Sequence, residues 1–348
     1  VIDRVLGELE SALHADGAAA GRAMQAVWQQ VGAADAAAAT RALERIGSLF
    51  DGLPPGRGSR LAVLAGALVE RGADPAPAVA AVVDGWLEAA EAATEFARRW
   101  RLAVRLAPPE PVDDPATFEA VVTRLAGGEP ADEGLRRLAA AWFMLGQWTM
   151  ALTTFLQRAA VRAGLPRREE VEDAVEALQD VRYDLDWLVD LLRVLDDEEI
   201  LVLHRPSGRG WALTVGGIGD NFQLHTLLAA TLLSMTDDRL LPGMPPPAAE
   251  VAAATDGPLR PDGGMQARFH LVDGEGHWIW NEGVPADIPV VDGARVVLLD
   301  PLAEARTWEA GRQFAQMVPT VRLVRVLDRD EAALRIVSVP TIATPQHP

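Results

Sequence analysis

Apolar positions recur at helical spacing along the first part of the chain, and at every second position in parts of the remainder. Val79, Val82, Val83, Trp86, Leu87 and Ala90 follow the i, i+3, i+4, i+7 pattern that lines one face of an α-helix. The same period runs through 2–14, 36–50, 60–71, 116–126, 166–182 and 184–195. Gly- and Pro-rich breaks at 52–58, 72–77, 107–115, 127–130 and 163–166 fall where such helices should stop. The pattern predicts eight or nine helices joined by short loops, as a bundle or an irregular helical array. One segment, 138–157, carries no charge between Arg137 and Arg158 and is long enough to raise a membrane span. Gln147, Thr149, Thr153, Thr154 and Gln157 interrupt it, so its expected place is the centre of the helical domain, with Trp142 and Trp148 as core residues.

Near residue 198 the period changes to two. Residues 200–205, the turn PSGR and 210–215 read as a β-hairpin that pairs His204 with Trp211 and puts Val202, His204, Leu213 and Val215 on one face. A helix over 221–235 follows, then a Pro/Gly-rich connection over 241–265, read as a surface loop around a short AAEVAAA helix. Residues 267–280 predict a second hairpin, 295–300 a buried strand, 302–317 a helix and 320–327 a last strand. The expected fold class is α+β and predominantly α. An N-terminal multi-helix domain over 1–198 is followed by a smaller α+β domain built on β-hairpins over 199–348.

Composition narrows the chemistry. The 348 residues include no cysteine and no lysine, so all 32 basic residues are arginine. That excludes disulfides, thiolate metal sites and thiol nucleophiles, and with them Walker-type phosphate loops and Schiff-base lysines. The six serines lie outside any G-x-S-x-G elbow or S-x-x-K pair. The Ala-, Arg-, Gly- and Val-rich usage is compatible with a high-GC coding sequence, although such bias lowers lysine and seldom abolishes it. A net charge of -18 argues against nucleic acid as a partner. The chain opens on mixed charge instead of a basic end and an apolar run, and the expected location is cytoplasmic, with no membrane association.

Four of the six histidines, His204, His225, His270 and His277, fall between residues 204 and 277. A two-residue turn at Gly274-Glu275 would pair Val272 with His277 and Leu271 with Trp278. His270 and His277 would then share a face as diagonal neighbours, with Leu271, Trp278 and Trp280 on the other. Those two histidines, with His225 or Glu282 as a third ligand, could hold a divalent metal or an acid-base site; otherwise they are solvated residues on the polar face of a hairpin. Residues 215–225 form a strand, a Gly-rich turn and a helix start, an arrangement that can present N–H groups to an anion. Asp220 with Gln223 three residues on reads instead as a capping box occupying those groups, and His225 reads as a core histidine. Trp278 and Trp280, followed by Asn281 and Glu282, offer a stacking platform for a ring, a sugar or a cation unless they are core. The acidic stretch 168–199 reads as a solvated helix face.

The leading expectation is a non-catalytic binding or accessory protein without a cofactor, recognising a protein partner or a small ligand through Trp278, Trp280, Asp220 and Asn281. The alternative is a hydrolase or lyase using His277, His270 and Glu282, with a divalent metal on His225, His270 and His277.

Overall fold

Aspartates open the helices. Asp35, Asp114 and Asp132 each turn a carboxylate onto the N–H groups of a first helical turn. The computed structural model describes residues 2–13, 17–33, 35–51, 53 and 55–340. Within these the chain forms two units, 1–192 and 193–348. The first holds α1 (Ile2–Leu13), α2 (Gly17–Val31), α3 (Ala36–Gly47), α4 (Pro55–Glu70), α5 (Val79–Val104), α6 (Pro115–Leu125), α7 (Glu133–Leu156), α8 (Ala159–Ala163), α9 (Arg168–Leu178) and α10 (Asp186–Leu192). Ten helices thus stand where eight or nine were expected: α10 falls in the predicted 184–195 segment, whereas α2 and the short α8 were not among the periodic segments. The predicted break at 52–58 lies partly outside the described residues.

Helix α7 is the one around which α4, α5 and α6 gather. Two of the polar residues that dilute its apolar run bond to its neighbours, Trp86 Nε1 donating to Thr149 Oγ1 (3.1 Å) and Ser59 Oγ to Gln147 Oε1 (2.8 Å), while Thr153 and Thr154 donate to Met150 O of α7 itself. Phe96 of α5 stacks on Trp142 at 5.3 Å. A helix apolar on nearly all sides is packed here against α4, α5 and α6. Among the described residues no helix is long and apolar enough to cross a membrane.

The second unit comprises β1 (Glu198–His204), β2 (Arg209–Gly216), α11 (Asn221–Leu232), β3 (Leu233–Ser234), β4 (Leu241–Pro242), α12 (Ala248–Ala254), β5 (Met265–Gln266), β6 (His270–Asp273), β7 (Val290–Val291), β8 (Ala294–Asp300), β9 (Thr307–Trp308), β10 (Thr320–Val326) and α13 (Arg329–Ser338). The main sheet has the order β10-β2-β1-β8-β6, with β7 paired to β8. All its pairings are antiparallel except β1 with β8. Ile200, Val202, Leu213, Leu271, Val297 and Leu299 on one face pack against α11 residues Leu224 and Leu228. Leu201, Leu203, Val272, Val296 and Leu298 on the other share a core with Ala332 and Ile336 of α13. Burial on both faces explains the unbroken apolar run of β8, and the fold is α+β with helix predominating.

Several local expectations change. In the first hairpin Val202, not His204, faces Trp211, and His204 faces Arg209. This slip of two residues keeps every side chain on its predicted face. The segment 302–317 is not helical: Thr307–Trp308 pairs with Met265–Gln266, and Arg312 turns inward to bond Ala253 O and Gly257 O. Long-range pairing overrides the local helical pattern there. The connection 241–265 is more than a surface loop, since Leu241, Ala253 and Ala254 are buried and Gln223 Nε2 donates to Ala254 O (2.7 Å). Helix α13 was not foreseen, although Asp328 caps it through the Glu331 N–H.

Candidate functional site

The second hairpin is organised by one carboxylate. Asp273 Oδ1 accepts the N–H groups of Glu275 (2.8 Å) and His277 (2.9 Å). Gly276 closes the turn at φ 89°, a left-handed conformation that side chains with a Cβ resist. Three residues therefore separate Asp273 from His277, and the Asp273 N–H donates to His277 O at 2.9 Å. The register follows from this turn. Val272 pairs with Trp278 instead of His277, and the Ile279 N–H donates to Leu271 O.

A register change of one residue exchanges the faces of a strand. Ile279, buried, takes the core position beside Leu271. Trp278 and Trp280 turn outward, 41% and 56% exposed. They correct the expectation that they share Leu271's side. His270 and His277 do not share a face; the imidazole of His270 lies against Trp278 instead, with ring centres 6.4 Å apart and planes at 9°. Trp280 meets Trp278 edge to face at 5.3 Å. Partial burial and the nearby Arg306 guanidinium lower the His270 pKa, outweighing Asp300, so the ring is neutral at pH 7. Asp300, which pairs with His270 across β6 and β8, is itself held by Arg205 Nε at 2.9 Å.

The other predicted residues sit apart from this cluster. The exposed His277 places Nδ1 3.7 Å from Asp273 Oδ2 and 3.6 Å from Glu275 Oε2. His225 is fully buried, and its Nε2 accepts the N–H groups of Arg268 (3.0 Å) and Phe269 (3.2 Å). Burial, with Arg268 adding to it, lowers its pKa to about 3. A nitrogen already accepting two N–H groups has no lone pair free for a metal. Among the described residues no group of three His, Asp or Glu is placed to hold a metal ion.

Asp220 caps α11 through the Gln223 N–H (2.7 Å), while Gln223 Oε1 accepts the Gly219 N–H (2.8 Å). The capping box is thus closed one residue earlier than the usual form. Asn281 O and Gly283 O accept the N–H groups of Phe222 and Asn221, so protein carbonyls fill the helix start that an anion would use. Asn221 Nδ2 donates to Trp280 O at 2.8 Å, tying the segment that carries the indoles to α11. Glu282 is exposed beside this contact. Asp273, Asn221 and the Arg205–Asp300 pair escaped the sequence reading; an Asp directly before Gly-x-Gly was the available signal for the first.

No protein-family model, curated protein or solved structure matches this chain.

Proposed function

We propose that this chain is a non-catalytic binding protein whose second unit engages an arginine-rich segment of a protein partner through the Trp278–Trp280 pair. The observation that carries this reading is the outward placement of two neighbouring indoles on an extended segment, bridged to β6 at Trp278, whose intervening residue, Ile279, is buried. Large apolar rings left in water gain nothing for the fold, whereas rigid exposed indoles are the side chains most often found to dominate binding energy. The edge-to-face pair and the stacked His270 fix the rings before a partner arrives, which lowers the ordering cost of binding. A guanidinium suits an indole face, and a chain of net charge -18 attracts cationic segments.

Calorimetric titration with an arginine-rich peptide and a glutamate-rich peptide of equal length tests the reading. The arginine peptide binds and the glutamate peptide does not. Trp278→Ala with Trp280→Ala weakens binding at least tenfold, about 1.4 kcal/mol, while thermal stability changes little. Undiminished binding by the double variant contradicts the proposal. So does a stability loss of about 3–5 kcal/mol, the cost of deleting a buried ring.

A further inference from the structure

Three helices of the first unit meet around an open groove, and each gives it residues at helical spacing. Gly21, Met24 and Trp28 come from α2, Arg60 and Val63 from α4, and Gln147 and Met150 from α7. Helix α4 packs against both of the others. The groove has a volume of about 330 Å³, at the small end for an organic ligand. Its lining is largely apolar. Met24 is buried, whereas Trp28 and Met150 are 38% and 57% exposed. Thioethers adapt their shape to a flat ring and make favourable sulfur contacts with it. Gly21 keeps the space open: a Cβ built there meets nothing within 4 Å, although a glycine inside a helix weakens that helix.

The charge of this groove has one sign. The chain has 50 acidic residues, yet no Asp or Glu is among the described residues that line it. Carboxylates line the three other cavities described in this unit, Asp84 and Glu88 in two of them and Asp74 in the third. Arg60 is the cation of the groove, and it makes no ion pair or hydrogen bond among the described residues. Its neighbour Ser59 is buried and donates to Gln147 Oε1 at 2.8 Å, which ties α4 to α7 and fixes the amide. Gln147 Nε2 is left without a partner among the described residues and, unlike Trp148 Nε1, is open to solvent. A guanidinium and an amide N–H thus converge on an apolar groove, the donor set that a carboxylate takes up.

We propose that this groove binds a small aromatic carboxylate. The ring lies against Trp28, Val63 and the thioethers of Met24 and Met150, and the carboxylate meets Arg60 and Gln147 Nε2. The site lies within the first unit and does not depend on the Trp278–Trp280 pair. Titration of the full chain with naphthalene-2-carboxylate near neutral pH tests it, with the uncharged naphthalene-2-carboxamide as control. The carboxylate binds saturably, and the carboxamide binds at least tenfold more weakly. Arg60→Gln weakens the carboxylate at least tenfold without moving the melting temperature, because the guanidinium supports no other contact among the described residues. Gly21→Leu puts a side chain into the open space and a better helix former into α2, so the carboxylate is lost while the melting temperature does not fall. Equal affinity for the two compounds overturns the proposal. So does unchanged carboxylate affinity in either variant, or no saturable binding at millimolar ligand.

Discussion

Arginine does work here that lysine could not do as well. Arg312, largely buried, spreads its guanidinium over Ala253 O and Gly257 O at 3.1 Å each and Ala315 O at 3.5 Å. Arg162 donates to Leu156 O at the end of α7, Arg158 to Val69 O near the end of α4, and Arg71 to Gly32 O just past α2. A planar fork reaches several carbonyls at once, where an ammonium acts as a single point. Arg312→Lys is therefore expected to cost about 1–3 kcal/mol in denaturant unfolding, because carbonyls are left unmet. The exposed Arg4, paired only with Glu8, should tolerate the same change within about 0.5 kcal/mol. His225 supplies a pH signature. Its folded pKa of about 3 lies below the unfolded value of about 6.5, so the unfolded chain takes up the proton first as pH falls. Stability from this group is complete above about pH 6.5 and is lost towards pH 3. Between pH 7.5 and 5.5 the loss is about 1.4 kcal/mol, measurable by unfolding at both values. His225→Gln, which can still accept the Arg268 and Phe269 N–H groups, should remove that increment; an unchanged pH slope would show that another group carries it.

At the scale of elements, turn chemistry decides which side chains meet. In the second hairpin the DGEG sequence suggested a two-residue turn, but the Asp273 carboxylate bonds two N–H groups across a three-residue one and Gly276 supplies the left-handed closure. That single added residue sends Trp278 to His270's side and His277 away from it. Asp273→Ala should lower stability by about 1–3 kcal/mol and abolish the circular-dichroism couplet of the Trp278–Trp280 pair; an intact couplet would show that the register does not depend on this carboxylate. The long periodic helices, the central 138–157 segment and the buried 295–300 strand could be read from spacing alone, because their patterns are imposed by one continuous core. The segment 302–317 could not. Its helical spacing is real, but Thr307–Trp308 finds a strand partner more than 40 residues earlier in the chain. The indole platform was legible as residues and not as geometry, since a one-residue register is invisible to a period of two.

Across the whole molecule, the two units carry different kinds of surface. The first is a helical array in which several carboxylates are engaged by arginines, as in Arg98 and Arg99 with Glu95, and Arg167 with Asp84 and Glu170. Arg98, Arg99, Arg101 and Arg105 make a local basic run in this acidic chain, and it is partly neutralised by Glu95 of the same helix. The second unit buries both faces of its sheet and yet leaves Trp278 and Trp280 in water at the β6 edge. The chain has 10 tryptophans, so their indole N–H resonances give a direct map of where a partner lands. Titrating the labelled protein with the arginine-rich peptide should shift the resonances of Trp278 and Trp280, assigned by single substitution, in proportion to saturation, and leave those of Trp86, Trp142 and Trp211 in place. Shifts confined to other tryptophans, or no shift at a peptide concentration that calorimetry shows to saturate, would contradict the assignment of this pair as the binding surface.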